Sequence, residues 1–145
     1  MVEVFGCIAV TETALRLAIK VGTLIKDLKT APNQLLALSN EINDLKLVLD
    51  SVRQALSGNL RTQQVPGIEP LLFQTSIRFE EVNQIVSRLG QLGPYGNRWN
   101  IRTWERYVWH REKPRVIALQ TSLKELRSNI ALALGACGTY VCSCL

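Results

Sequence analysis

The side chains that could perform chemistry are few in this sequence. His110 is its only histidine, so a Ser-His-Asp or Cys-His arrangement could draw on that residue alone. Its neighbours Trp109 and Arg111 belong to a basic stretch, which favours a surface or packing role for this histidine. Glu80 and Glu81 are adjacent, and adjacent side chains diverge on a helix instead of forming an acid–base pair. Since there is also no Gly-rich phosphate loop and no G-x-S-x-G turn, the sequence predicts no enzyme, no cofactor and no small-molecule substrate.

The four cysteines do not have the spacing of a metal site or of a disulfide framework. Cys7 lies in an apolar helical repeat, whereas Cys137, Cys142 and Cys144 crowd the C-terminal end. A lone C-x-C lacks the second close pair of a structural zinc site, so we expect free thiols and no bound metal. The last four residues fit a C-a-a-X signal for lipidation at Cys142, although Ser143 and Cys144 are not aliphatic. The alternative is a frayed end or an artefact of where the chain was cut.

Basic and aromatic side chains interleave in residues 98–115, which contain all three tryptophans. Arg98, Arg102 and Arg106 follow a spacing of four residues on one helical stripe, which Lys113 extends. One interpretation is a helix with tryptophans in the core and a solvated basic face. The other is a basic interaction face for an acidic protein or for anionic lipid headgroups. Specific nucleic-acid binding is not expected, because no helix-turn-helix, zinc finger or aromatic platform accompanies the charge.

Length and composition predict one soluble domain. The 145 residues are 47% hydrophobic and 20% charged, which is ordinary for a globular protein with one core. The formal charge of +5 falls entirely in residues 98–127, which hold eight basic and three acidic side chains. The first residues are acidic where a secretory signal is basic, and no apolar run approaches the ~20 residues that cross a bilayer. We therefore expect a cytoplasmic protein.

Apolar residues recur at alternating steps of three and four in four stretches of the chain. This spacing keeps one stripe of a helix, here called a seam, against a neighbouring helix. The seams comprise Cys7, Val10, Ala14, Leu17, Val21, Leu24 and Leu28; Leu35, Leu38, Ile42, Leu45, Leu49, Val52 and Leu56; Ile68, Leu72, Thr75, Phe79, Val82, Val86 and Leu89; and Val116, Leu119, Leu123, Leu126, Ile130 and Ala133. The pattern predicts an all-α, up-and-down bundle of four long helices.

Proline and glycine mark the expected ends of these helices, which lie at about residues 3–29, 32–56, 70–92 and 98–134. Pro32 suits the first turn of the second helix, and Gly58, Gly93 and Gly135 suit the ends of the second, third and fourth. Pro114 predicts a kink or a split in the fourth helix. Residues 1–136 are expected to form the helical domain, and residues 137–145 a disordered, Cys-rich tail.

The first helix carries apolar residues beyond its seam. They are Val4, Phe5, Ile8, Leu15, Ile19 and Ile25. A helix that is apolar over most of its circumference is central in a bundle, or is held there and later released to a membrane or to another copy. These six residues are the candidate membrane-contacting or oligomer-forming surface.

Three stretches resemble a known family. Residues 1–9 (MVEVFGCIA), 30–49 (TAPNQLLALSNEINDLKLVL) and 109–135 are similar to the helices of the fungal N-terminal domain found ahead of NACHT modules and repeats. This domain is named for the azaphilone pigment cluster protein L and belongs to the HeLo-like set. The likeness spans about residues 1–136, is a pattern of helices, and brings no catalytic residues.

The resemblance implies a non-enzymatic signalling module. In HeLo-type relatives a downstream STAND receptor assembles, and the bundle then targets membranes and executes cell death in fungal non-self recognition. Relatives usually continue into nucleotide-binding and repeat regions, and residues 137–145 look like nothing in the family. The alternative is a stand-alone helical oligomerisation or scaffold module without membrane activity. Both readings expect protein partners or self-association; the first adds an anionic membrane surface reached on activation.

Overall fold

Four helices make up the part of the chain that the structure describes. The computed structural model describes residues 2–28, 31–57, 67–91 and 108–144, and side chains within 6–28, 31–55, 67–90 and 108–135. The helices are α1 (Val2–Asp27), α2 (Asn33–Ser57), α3 (Ile68–Gln91) and α4 (His110–Cys144). No strand occurs in these ranges, so the predicted all-α class is confirmed.

The four predicted seams form the core. Every seam residue with a described side chain is buried, apart from Ala133, which is partly buried and packs against the others. Leu56 lies outside the described side chains. Thr75, the one polar member, is fully buried, and its hydroxyl donates to the Leu71 carbonyl at 2.7 Å. A hydroxyl bonded within its own helix turn leaves no unsatisfied donor in the core.

Each helix packs against two others, and the cyclic order around the bundle is α1, α2, α4, α3. α1 therefore lies diagonally opposite α4, and α2 lies diagonally opposite α3. The connection between α2 and α3 thus joins helices across a diagonal, while the other two connections join neighbours.

The helix directions alternate along the chain. The Cys7 thiol near the start of α1 donates to the carbonyl of Leu49 in the second half of α2 at 3.5 Å, so these helices are antiparallel. Lys20 Nζ donates to Asn83 Oδ1 of α3 at 2.8 Å. A Cβ on Gly6 would lie 4.0 Å from Leu72, so α1 and α3 are parallel. The up-and-down bundle is confirmed, with parallel packing between α1 and α3.

The proline boundaries differ in detail from the prediction. Pro32 precedes the first residue of α2, and its carbonyl accepts from the N–H groups of Leu35 and Leu36 at 3.0 and 3.1 Å. It therefore acts as the N-cap and not as the first helical residue. Pro114 is the fifth residue of α4 and does not split the helix. Only one intrahelical bond near the N-terminus is lost there, which a helix tolerates. A kink at Pro114 stays a prediction.

α4 ends later in the structure than the sequence predicts. α4 continues through Gly135 to Cys144, so its backbone is helical in residues expected to form a disordered tail. A glycine ends a helix only when it adopts the left-handed conformation. Within the described ranges Gly67, which precedes α3, is the one residue with a positive φ, at 73°. A helical glycine costs about 1 kcal/mol relative to alanine, which does not stop a long helix.

Candidate interaction surfaces

The additional apolar residues of α1 divide between two sides of the helix. Leu15 and Ile19 are 45% and 62% exposed, and Ile8 is half-buried. Ile25 is partly buried and packs against the core. Ile25 follows Val21 by four residues and so lies beside the seam. Two further candidates, Val4 and Phe5, lie outside the described side chains.

The exposed apolar residues Leu15 and Ile19 belong to one continuous stripe of α1. We define the outer stripe as the residues at steps of four and three that lie on the side opposite the seam: Ile8, Glu12, Leu15, Ile19, Gly22 and Lys26. All but Ile8 are exposed, and a Cβ on Gly22 would meet no heavy atom within 4 Å. α1 therefore presents apolar side chains both to the core and to solvent.

The groove between α1 and α3 adjoins the outer stripe. Near its C-terminal end, a cleft is lined by Ile19 and Lys20 of α1 and by Ser87 and Gly90 of α3. Lys20 is held in place there, because its ammonium donates to Asn83 and Ser87 at 2.8 Å each. Lys20 is thus engaged within the bundle, although it belongs to the polar side of α1.

The other end of this groove carries exposed apolar surface. Phe73 of α3 is 68% exposed and lines a cleft with Gly6 and Ala9 of α1. Ile77, one turn further along α3, is also exposed. Apolar surface therefore continues from α1 onto α3, its parallel neighbour. Contiguous exposed apolar surface is a common feature of contact sites.

A second surface surrounds a buried carboxylate between α3 and α4. The Glu112 side chain is only 2% exposed. Arg88 of α3 approaches it most closely, with Nε 3.2 Å from Oε1 and Nη2 donating to Oε2 at 3.4 Å. Arg111 and Arg115 of α4 lie within 3.8 and 3.7 Å and are largely exposed. Three guanidinium groups around one carboxylate leave an excess of positive charge.

This basic cluster borders a cleft between α3 and α4. Arg88 and Arg115 line it together with Gln84, Ser122 and Arg78, the last of which pairs with its own helix neighbour at 2.8 Å. Guanidinium, amide and hydroxyl donors of this kind can meet carboxylate or phosphate oxygens. Glu81, the partner of Arg78, lines the same cleft, and the basic groups are in excess.

The predicted basic face and the observed basic cluster are different sets of residues. Arg98, Arg102 and Arg106 lie outside the described residues, and Lys113 is half-buried at the start of α4 without lining the cleft. The role of Arg88 could not be predicted from the sequence, because its approach to Glu112 depends on the packing of α3 against α4. The spacing of Arg111, Glu112 and Arg115 was visible in the sequence and points to the α4 half of the cluster. Trp109 is buried, as the core interpretation of the tryptophans expected.

A second buried carboxylate has a structural role. Glu41 of α2 is buried and accepts from Arg127 Nε of α4 at 2.5 Å. This hydrogen bond raises the pKa of the Arg127 guanidinium above its ordinary value, and the pair joins α2 to α4 across the bundle.

Few side chains in the described ranges have the arrangement of a reactive centre. His110 is exposed, and Glu81 pairs with Arg78. Cys7 is a free, fully buried thiol, and burial raises its pKa, which opposes nucleophilic reactivity. No group of three metal-ligating side chains lies together in the searched part of the structure. The Cys142 side chain lies outside it.

Comparisons with family models, curated proteins and solved structures give no match for this chain. Among the described helices, none combines the length and the apolar character needed to span a bilayer.

Proposed function

We propose that this chain is a cytoplasmic, non-enzymatic signalling module of the kind found at the N-terminus of fungal NACHT/STAND receptors, with α1 as its contacting element. The proposal follows from the resemblance of residues 1–136 and from one structural observation. α1 buries its seam in the bundle and at the same time exposes Leu15 and Ile19 on its opposite side. A helix with apolar side chains on two sides can remain folded while it contacts something outside the bundle.

The HeLo-like reading makes an anionic membrane the target of α1. Lys26 belongs to the outer stripe and Arg16 lies beside it, so basic side chains adjoin Leu15 and Ile19, while Glu12 is the one acidic member of the stripe. Each such residue near an anionic leaflet contributes about 1 kcal/mol, which supports a weak and salt-sensitive attachment. In fungal non-self recognition, this contact would be the step that damages the membrane.

Dye release from vesicles tests the membrane reading. We expect the purified, oligomerised chain at low salt to release dye from vesicles of phosphatidylserine and phosphatidylcholine, but not from phosphatidylcholine alone. Ile19→Glu should abolish release, because it places a carboxylate in the apolar stripe. Leu47→Glu is the matched control, since Leu47 is 64% exposed on α2, away from α1. Absence of release by the wild-type chain would contradict the membrane reading.

The alternative is a helical oligomerisation or scaffold module without membrane activity. It is supported by the exposed apolar surface that α1 shares with Phe73 and Ile77 of α3, which suits a protein partner equally well. This module would bind neither vesicle type and would still associate with protein. Vesicle co-sedimentation beside a measurement of self-association separates the two readings.

A further inference from the structure

The outer stripe of α1 has the same periodicity as the seams that build the core. Its members follow steps of 4, 3, 4, 3 and 4 residues, from Ile8 to Lys26. Such alternation keeps a stripe in register with a neighbouring helix along its whole length. In the described bundle this neighbour is missing, because α2 and α3 occupy the other sides of α1.

The outer stripe of one copy is complementary to the outer stripe of a second copy that runs in the opposite direction. When a second α1 runs antiparallel about a two-fold axis at position 17, Leu15 faces Ile19 of the other copy, and Ile19 faces Leu15. The same axis sets Glu12 opposite Gly22, and Ile8 opposite Lys26. A two-fold contact of this kind is self-complementary and closed, which is the commonest symmetry of homodimers.

The two charged members of the stripe, Glu12 and Lys26, favour the antiparallel direction. Glu12 lies one helical turn from Lys26 of the other copy, because Gly22 and Lys26 are four residues apart, and the symmetry repeats this pairing. A parallel pair in register would instead place Glu12 beside Glu12 and Lys26 beside Lys26, where like charges repel. Gly22 leaves room for the Glu12 side chain, since nothing lies within 4 Å of its Cβ position.

We propose that two copies of this chain associate through antiparallel contact of their outer stripes, centred on Leu15 and Ile19. The inference rests on the proposed function in which α1 is the contacting element, and it names a second copy as the partner. One helix pair buries less than the ~800 Å² per partner of a standard interface, so the dimer is weak and forms with rising local concentration. Clustering by a receptor would supply this concentration.

Sedimentation equilibrium over a wide range of concentration tests the contact. The wild-type chain should show a monomer–dimer equilibrium, and Ile19→Glu should weaken it by roughly tenfold or more, because a carboxylate loses its solvation in an apolar contact. Leu47→Glu and Leu132→Glu are matched controls, since both residues are exposed on other helices. These controls should dimerise like wild type. A chain that stays monomeric at every concentration would overturn the proposal.

A charge exchange tests the direction. Glu12→Lys and Lys26→Glu should each weaken dimerisation, because each creates a like-charge pair, and the double variant should restore it. A double variant no better than the single ones would overturn the antiparallel register. Both residues are exposed in the bundle, so the variants should keep the wild-type circular dichroism spectrum. Vesicle release or capture of another protein by a strictly monomeric chain would sustain the proposed function while refuting this inference.

Discussion

At the residue scale, Glu112 is a buried carboxylate whose removal has a testable structural consequence. It is almost fully buried, but Arg88 is partly exposed. Loss of the carboxylate therefore strands no fully buried charge, and the cost falls between that of an exposed ion pair and the 3–5 kcal/mol of a fully buried one. We expect Glu112→Gln to lower the free energy of unfolding by about 2 kcal/mol in urea titrations. Arg111→Gln should change it by less than about 1 kcal/mol, because that guanidinium is exposed and 3.8 Å away. Equal effects of the two substitutions on the free energy of unfolding would contradict a stabilising role for the buried Glu112 carboxylate.

Cys7 makes a pH-dependent contribution to stability. Burial raises the pKa of its thiol above the ordinary value of 9.0, so the folded state favours the neutral form. Its contribution is then complete below the pKa of the unfolded chain and is lost as the pH rises through the folded value. We expect Cys7→Ala to cost about 1–2 kcal/mol at pH 7, and this difference from wild type to shrink above pH ~9. Urea titrations at both pH values measure it; a difference that stays constant or grows with pH would contradict the shift.

At the scale of the element, α1 contains a glycine that its packing does not require. Gly22 is helical and exposed, and a Cβ there would meet no atom within 4 Å. Replacement by alanine removes backbone freedom from the unfolded chain, so Gly22→Ala should raise the free energy of unfolding by about 1 kcal/mol. Thermal unfolding at low protein concentration, where the monomer dominates, measures this gain. A loss of stability would mean that the site is less open than its geometry indicates.

The sequence predicted the elements well because the evidence for them is local. Seam positions such as Leu35, Phe79 and Leu123 depend only on spacing within one helix, and all three are buried. The end of α4 was predicted poorly, since Gly135 can either end a helix or continue it, and only the backbone angle decides between them.

At the scale of the whole molecule, the order of helices could not be read from the seams. Each seam predicts that one side of a helix is buried, but it does not predict which helices pack against that side. The pairs Arg88–Glu112 and Arg127–Glu41 show the consequence, because each joins two helices, and the second joins α2 to α4, which are not consecutive in the chain. The basic cluster depends on the first of these pairs. It therefore exists only in the folded bundle, whereas the outer stripe of α1 is a local pattern that the sequence already contained.

The bundle also decides how α1 can reach a partner. Release of α1 would expose its seven seam residues, at about 1.5–3 kcal/mol for each large apolar side chain, and so would cost on the order of 10 kcal/mol. This is comparable with the entire stability of a typical domain, about 5–15 kcal/mol. We therefore expect the seam-facing amides of α1 to exchange hydrogen only by global unfolding, with the same free energy as those of α2 in mass-spectrometric exchange. Opening of α1 at a free energy at least about 2 kcal/mol lower would contradict this and favour a released helix as the executing form. Under the expected result α1 stays in place, and any contact that α1 makes from the resting bundle must use residues that the bundle leaves exposed, such as those of the outer stripe.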